Sequence, residues 1–159
     1  MTSRKLNKAL LNADPSKAGN TLLCIDFGTA LSKAAATNGS GYRPLLLPLG
    51  ELGKDPRAAN KYVAQSSLFV DSQKTLRFGH EAVAHWARQR TYAIARIDSM
   101  KRWLSVGQMG DLDREPVDAQ YLPEGCSLSK GEALILILAY VTDLACAGLA
   151  AARLPRHVV

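Results

Sequence analysis

Cysteine is scarce and unpatterned in this chain. The three present, Cys24, Cys126 and Cys146, lie far apart and form no CxxC pair. No zinc site or disulfide framework is expected from them, and reduced thiols point to a reducing compartment, the cytoplasm. Aromatic residues make up only 6%. No recognised nucleic-acid motif accompanies them, so the positive charge reads as a solvated face and no nucleic-acid partner is expected. The N-terminus lacks an apolar core of the length a secretory signal needs. Neither GxxxxGK followed by Ser or Thr, nor GxGxxG, occurs. That removes the two common phosphate loops that open a helix.

What is present suits one domain of ordinary size: 159 residues, 47% hydrophobic and 21% charged. The net charge is +6. Arg4, Lys5, Lys8 and Lys17 face only Asp14 in the first twenty residues, which read as a basic tail ending in breaker signals. A second basic stretch, Lys74 to Trp103, carries seven Lys or Arg against Glu81 and Asp98. Ala133 to Ala152 is apolar enough to reach the length of a membrane span. Asp143 at its middle would cost roughly 2.5–3.5 kcal/mol in a bilayer, and its many small residues suit close packing. A buried helix is expected there, and no membrane partner.

The periodicity predicts strands over Thr21–Asp26, Ala30–Thr37 and Tyr42–Leu47, the first of them buried with Cys24 in the core. Asn38-Gly39-Ser40-Gly41 signals a hairpin turn. Pro48 to Asn60 reads as loop, and alternation returns at Val63–Val70 and Thr75–Phe78, joined by a turn at Asp71–Lys74. Helical spacing follows at Glu81–Arg90, a short helical segment at Ile97–Leu104, and a polar excursion over Gly107–Gly125. Ser129 and Glu132 stand at capping-box spacing before a helix running to about Arg153. After Pro155, "RHVV" has the look of a strand beginning, which suggests the N-terminal piece of a longer protein.

The chemistry concentrates in "LLCIDFGTALSKAAAT", Leu22 to Thr37. A tight strand–turn–strand can aim successive backbone N–H groups at phosphate oxygens. Gly28 permits a tight turn and close ligand approach. Thr29 adds a hydroxyl donor, and Asp26 can hold Mg²⁺ through waters. A second reading stands beside this one: Asp26 simply caps the hairpin. Other constellations fall away. His80 and His85 in "HEAVAH" are five residues apart, about 140° around a helix, and cannot share a metal as an HExxH pair does. Ser66 and Ser67 lack a GxSxG context, and His85, Trp86 and Trp103 read as packing residues.

"IDFGTALS" resembles the first phosphate loop of the Hsp70 (DnaK-type) chaperones, in the superfamily of actin, sugar kinases and Hsp70 ATPases. "YVAQSSLFVDSQKTLRFGHEAVAHW" is similar to the family's serine strand, hairpin and G-x-x-A helix. "SMKRWLS" is similar to its A-x-K-R-L-I-G segment, and "SKGEALILILAYVTDLACAGL" to the helix before the next core strand. The resemblance covers about residues 21–159 and implies an α/β fold. That fold would be a partial lobe I of an actin-like (ribonuclease H-like) ATPase, a mixed sheet of antiparallel hairpins with packed helices. It implies ATP and Mg²⁺ as cofactors, with Asp26 near the metal and its waters, Gly28 and Thr29 in the phosphate turn, and Lys101 near the γ-phosphate. Asp26 and Lys101 would be the catalytic groups. For the intact protein it implies an ATP-dependent chaperone with unfolded client peptides and co-chaperones as partners. A small-molecule kinase of the same superfamily, and a degenerate non-enzymatic nucleotide-binding or interaction module, are the alternatives. Ala30 and Leu31 stand where the family carries a second threonine and a polar residue, and Gln65 where it carries proline. The second phosphate loop, D-x-G-G-G-T, does not occur in these residues.

Overall fold

A computed structural model describes residues 21–38, 44–54, 60–89, 94–106 and 111–154. The basic tail, most of the Asn38–Gly41 turn and the strand start after Pro155 lie outside the described residues.

The architecture is mixed α/β. Strands β1 (Thr21–Phe27) and β2 (Leu31–Asn38) form an antiparallel hairpin, in register from Thr21 opposite Asn38 to Phe27 opposite Ser32. On its other side β2 pairs antiparallel with two short strands. β3 (Leu45–Leu46) meets Ala35 and Ala36, and β4 (Ala64–Gln65) meets Leu31 and Ser32. A single helical turn, α1 (Leu49–Leu52), lies between them within the stretch expected to be loop. Pro48 starts it and Gly53 ends it, so the breakers bound one turn here.

The expected single stretch Val63–Val70 is two strands in different sheets. β4 belongs to the first sheet, whereas β5 (Leu68–Val70) pairs with β6 (Leu76–Phe78) in a second. Helix α2 (Gly79–Ala87) follows directly. Next come a 3₁₀ turn, Met100–Arg102, continued by α3 (Trp103–Val106), and finally α4 (Lys130–Ala151). The expected capping box is present: Ser129 Oγ accepts from Glu132 N at 3.1 Å and Glu132 Oε2 accepts from Ser129 N at 2.8 Å. Such a cap contributes about 1 kcal/mol.

The strand alternation overturns one expectation. In β1, Thr21 is buried and Leu23, Ile25 and Phe27 half-buried, while Leu22, Cys24 and Asp26 are exposed. Cys24 is therefore not a core residue. An apolar run does not say whether one face or both are covered; period-two geometry puts every second side chain on the outer face.

Helix α4 supplies the spine of the core. Val141, Leu144, Ala145 and Leu149 pack in one cluster with Ala34, Ala36, Leu47, Leu49 and Ala64. Alanines on the sheet and Gly148 on the helix let the two layers approach closely. One turn earlier, Ala133, Leu134 and Ile137 join Leu68, Ile97, Met100, Leu112 and Val117 in a second cluster. The helix meets the length and hydropathy of a membrane span, with 44% of its most apolar window buried. Its buried face joins both clusters, as expected of a core helix, while Ile135 remains 63% exposed.

The β5–β6 turn is organised by one carboxylate. Asp71 Oδ1 accepts from Gln73 N at 3.0 Å and Thr75 N at 2.9 Å, and Oδ2 accepts from Arg77 Nε and Nη2, each at 3.2 Å. Burial pushes its pKa up, but the hydrogen bonds from Thr75, Arg77 and Gln73 outweigh this and leave it lowered. The folded state thus holds Asp71 ionised where the unfolded chain, with a carboxyl near the ordinary ~3.9, would take up a proton. The stabilisation is complete above the unfolded value and is lost as pH falls through the lowered folded value. Asp71→Asn is expected to cost about 2 kcal/mol at neutral pH. It should also flatten the acid limb of a urea-midpoint against pH curve; an unchanged acid limb would show that other carboxylates carry it.

Candidate phosphate-binding turn

The turn between β1 and β2 spans Gly28 to Ala30, directly after Phe27 pairs with Ser32. A Cβ on Gly28 would overlap the carbonyl oxygen of Leu31, so no other residue fits this turn unchanged. Thr29 and Ala30 are exposed. Asp26 lies on the outer face of β1, opposite Lys33 of β2, and both are exposed. Opposite charges directly across two strands contribute roughly 0.2–1 kcal/mol. Lys33 escaped the sequence reading, although counting back from a tight turn would have set it opposite Asp26. It adds an ammonium beside the turn.

Lys101 comes from a distant part of the chain. It is exposed in the 3₁₀ turn whose preceding residue, Ser99, has φ +60°. Arg102 N donates to Ser99 O at 2.9 Å and closes that turn. Met100, beside Lys101, is 1% exposed and part of the second core cluster. Phe27, beside Gly28, packs against the same cluster. Phe27, next to the turn, and Met100, next to Lys101, therefore share one core cluster. Among the described residues no hydrogen bond or ion pair links Asp26, Thr29 and Lys101 to one another.

No protein-family model matches this chain, and no curated protein matches it. The chemistry has to come from the residues themselves.

Asp26 offers a single carboxylate, and among the described residues no group of three or more His, Cys, Asp or Glu is placed to hold a metal. One exposed acid suits Mg²⁺ that keeps its waters and takes phosphate oxygens as further ligands; it does not suit a metal held by protein alone. His80 and His85 lie on α2, and His85 Nε2 is 3.9 Å from Glu81 Oε1. Trp86 is half-buried beneath Arg96, whose guanidinium lies 4.8 Å from its ring centre, so it braces a surface arginine. Trp103 packs on the second cluster as expected. Two cavities of about 290 and 300 Å³ lie elsewhere, one lined by Leu45–Pro48 and the end of α4, the other by Asp71, Arg77, His85 and Arg88. Neither is lined by Asp26, Thr29 or Lys101, and the turn presents an open surface.

Proposed function

We propose that residues 21–159 form the N-terminal part of lobe I of an Hsp70-like, actin-type ATPase. Its turn binds the phosphates of Mg-ATP in the intact protein. One observation carries the reading: the tight turn Gly28–Ala30 and Lys101, more than seventy residues apart in the chain, rest through Phe27 and Met100 on a single core cluster.

The chemistry assigned to each residue follows from its type and place. Backbone N–H groups of the turn and the Thr29 hydroxyl donate to phosphate oxygens, as a concave run of donors does. Asp26 accepts hydrogen bonds from metal-bound water, and Mg²⁺, when bound, neutralises charge on the phosphates. Lys101 places a positive charge near the transferring phosphoryl group and stabilises the charge that develops on its oxygens. In this reading the adenosine site and the second phosphate loop come from chain that follows Val159. The peptide-binding part would link ATP and ADP states to loose and tight client binding.

A second reading has its own support. Ala30 and Leu31, both exposed, leave the turn one hydroxyl donor short of the Hsp70 pattern, which favours a degenerate nucleotide-binding or interaction module. Reading the coding frame beyond Val159 separates the two. A strand followed by a D-x-G-G-G-T turn and a peptide-binding domain supports the chaperone; a stop directly after Val159 leaves a half-site without its partner. The 159 residues alone are expected to bind Mg-ATP weakly or not at all by calorimetry. Tight binding would overturn the half-site assignment.

A further inference from the structure

Ser66 and Ser67 are consecutive and both buried, at 2% and 6% exposure, and their hydroxyls serve different partners. Ser66 holds the phosphate turn. Its N–H donates to the carbonyl of Ala30 at 2.8 Å, and its Oγ lies 2.8 Å from Ser32 Oγ on β2. Ser67 holds the other half of the site. Its Oγ donates to Asp98 Oδ1 at 2.6 Å, three residues before Lys101. Asp98 is itself clamped by Arg96, with Nε at 2.8 and 2.9 Å from the two oxygens and Nη2 at 2.6 Å. The backbone repeats the link one residue on: Leu68 N donates to Ile97 O at 3.0 Å, and Ile97 N to Leu68 O at 2.8 Å.

Two adjacent buried hydroxyls are costly unless both are paired, about 1–3 kcal/mol each when left without a partner. A segment whose only duty was filling the core would take apolar side chains here. The paired hydroxyls instead join elements 34 and 31 residues away in sequence.

We propose that Ser66-Ser67 is a strut that sets the spacing between the Gly28–Ala30 turn and Lys101, with Ser67 and Asp98 as positioning residues. Its catalytic consequence rests on the ATPase reading above; the strut itself rests only on geometry. Cutting the Ser67–Asp98 bond leaves the segment from Ile97 to Arg102 held by the Leu68–Ile97 backbone pair and by Ile97 and Met100 in the core. Its local opening becomes easier while the hydrophobic core stays filled. A catalytic group displaced in this way loses turnover more than substrate affinity.

The test has two arms. In the 159-residue chain, Ser67→Ala should speed hydrogen exchange at the Ile97 and Arg102 amides by about tenfold through local opening. The Ala133 amide at the start of α4 should be unaffected, and Ser67→Thr should restore protection. Should Ser67→Ala fail to fold, Asp98→Ala removes the acceptor of the same bond from a side chain 40% exposed and is read at the same amides. Unchanged exchange at Ile97 and Arg102 overturns the strut. In the ATP-hydrolysing protein, the same substitutions should lower kcat about tenfold with KM for Mg-ATP nearly constant. An unchanged kcat per folded molecule overturns the positioning role. If the unaltered protein hydrolyses no ATP, the ATPase reading fails, while the exchange result still decides the strut.

Discussion

Gly79→Ala is expected to destabilise the chain by about 3 kcal/mol. Two independent costs combine. Gly79 has φ +56°, the left-handed region that costs a residue with a Cβ about 1–2 kcal/mol. An added Cβ would also run into the Tyr140 side chain, reaching 2.9 Å from Cζ and 3.0 Å from Cε1. Tyr140 has little room to yield, because its ring stacks on Phe78 with centroids 5.4 Å apart and packs on both core clusters. Overpacking of this kind costs about 1–3 kcal/mol. The midpoint of thermal unfolding should fall by about 6–12 °C. Repeating the substitution in a Tyr140→Phe background removes the phenolic oxygen, another atom in the way. The cost of Gly79→Ala should then shrink by about 1 kcal/mol. A midpoint within a degree or so of the unaltered chain would show that β6 and α2 can rearrange around the added methyl.

Lys101→Ala in the protein carrying both phosphate loops should lower kcat for ATP hydrolysis by about 100-fold or more, the effect of removing one preorganised charge from a transferring phosphoryl group. Stability should change by less than about 0.5 kcal/mol, since Lys101 is exposed. Lys101→Arg should not restore turnover, because a planar guanidinium does not reproduce a compact ammonium. Its exposed neighbour provides the comparison: Arg102→Ala should leave kcat within about twofold. Equal losses from both substitutions would assign the effect to the net charge of the segment. No loss from either would remove Lys101 from the site.

Local signals accounted for much of the fold. Ser129 and Glu132 marked the start of α4 because a capping box is a contact between near neighbours. The Asp71–Lys74 turn was readable for the same reason: Asp71 satisfies N–H groups two and four residues ahead. The outward position of Cys24 was not readable, since leucines at 22 and 23 look alike until the sheet has a covered face and an open one. Nor was the division of 63–70 between two sheets, which turns on Ser66 and Ser67 bonding to partners more than thirty residues away. In the proposed site, Asp26, Gly28 and Thr29 were singled out by their adjacency in the chain. Lys33 and Asp98 were missed because their places depend on strand register and on tertiary contact.

The most direct test of a phosphate half-site on this chain is a Mg-ATP titration of the ¹⁵N-labelled protein, followed at the backbone amides of Gly28, Thr29 and Lys101. A half-site predicts concentration-dependent shifts at these three amides that approach saturation only at millimolar or higher nucleotide, with the Arg77 and Arg88 amides unmoved. Shifts centred on Arg77 and Arg88, with Gly28, Thr29 and Lys101 unchanged throughout, would contradict it.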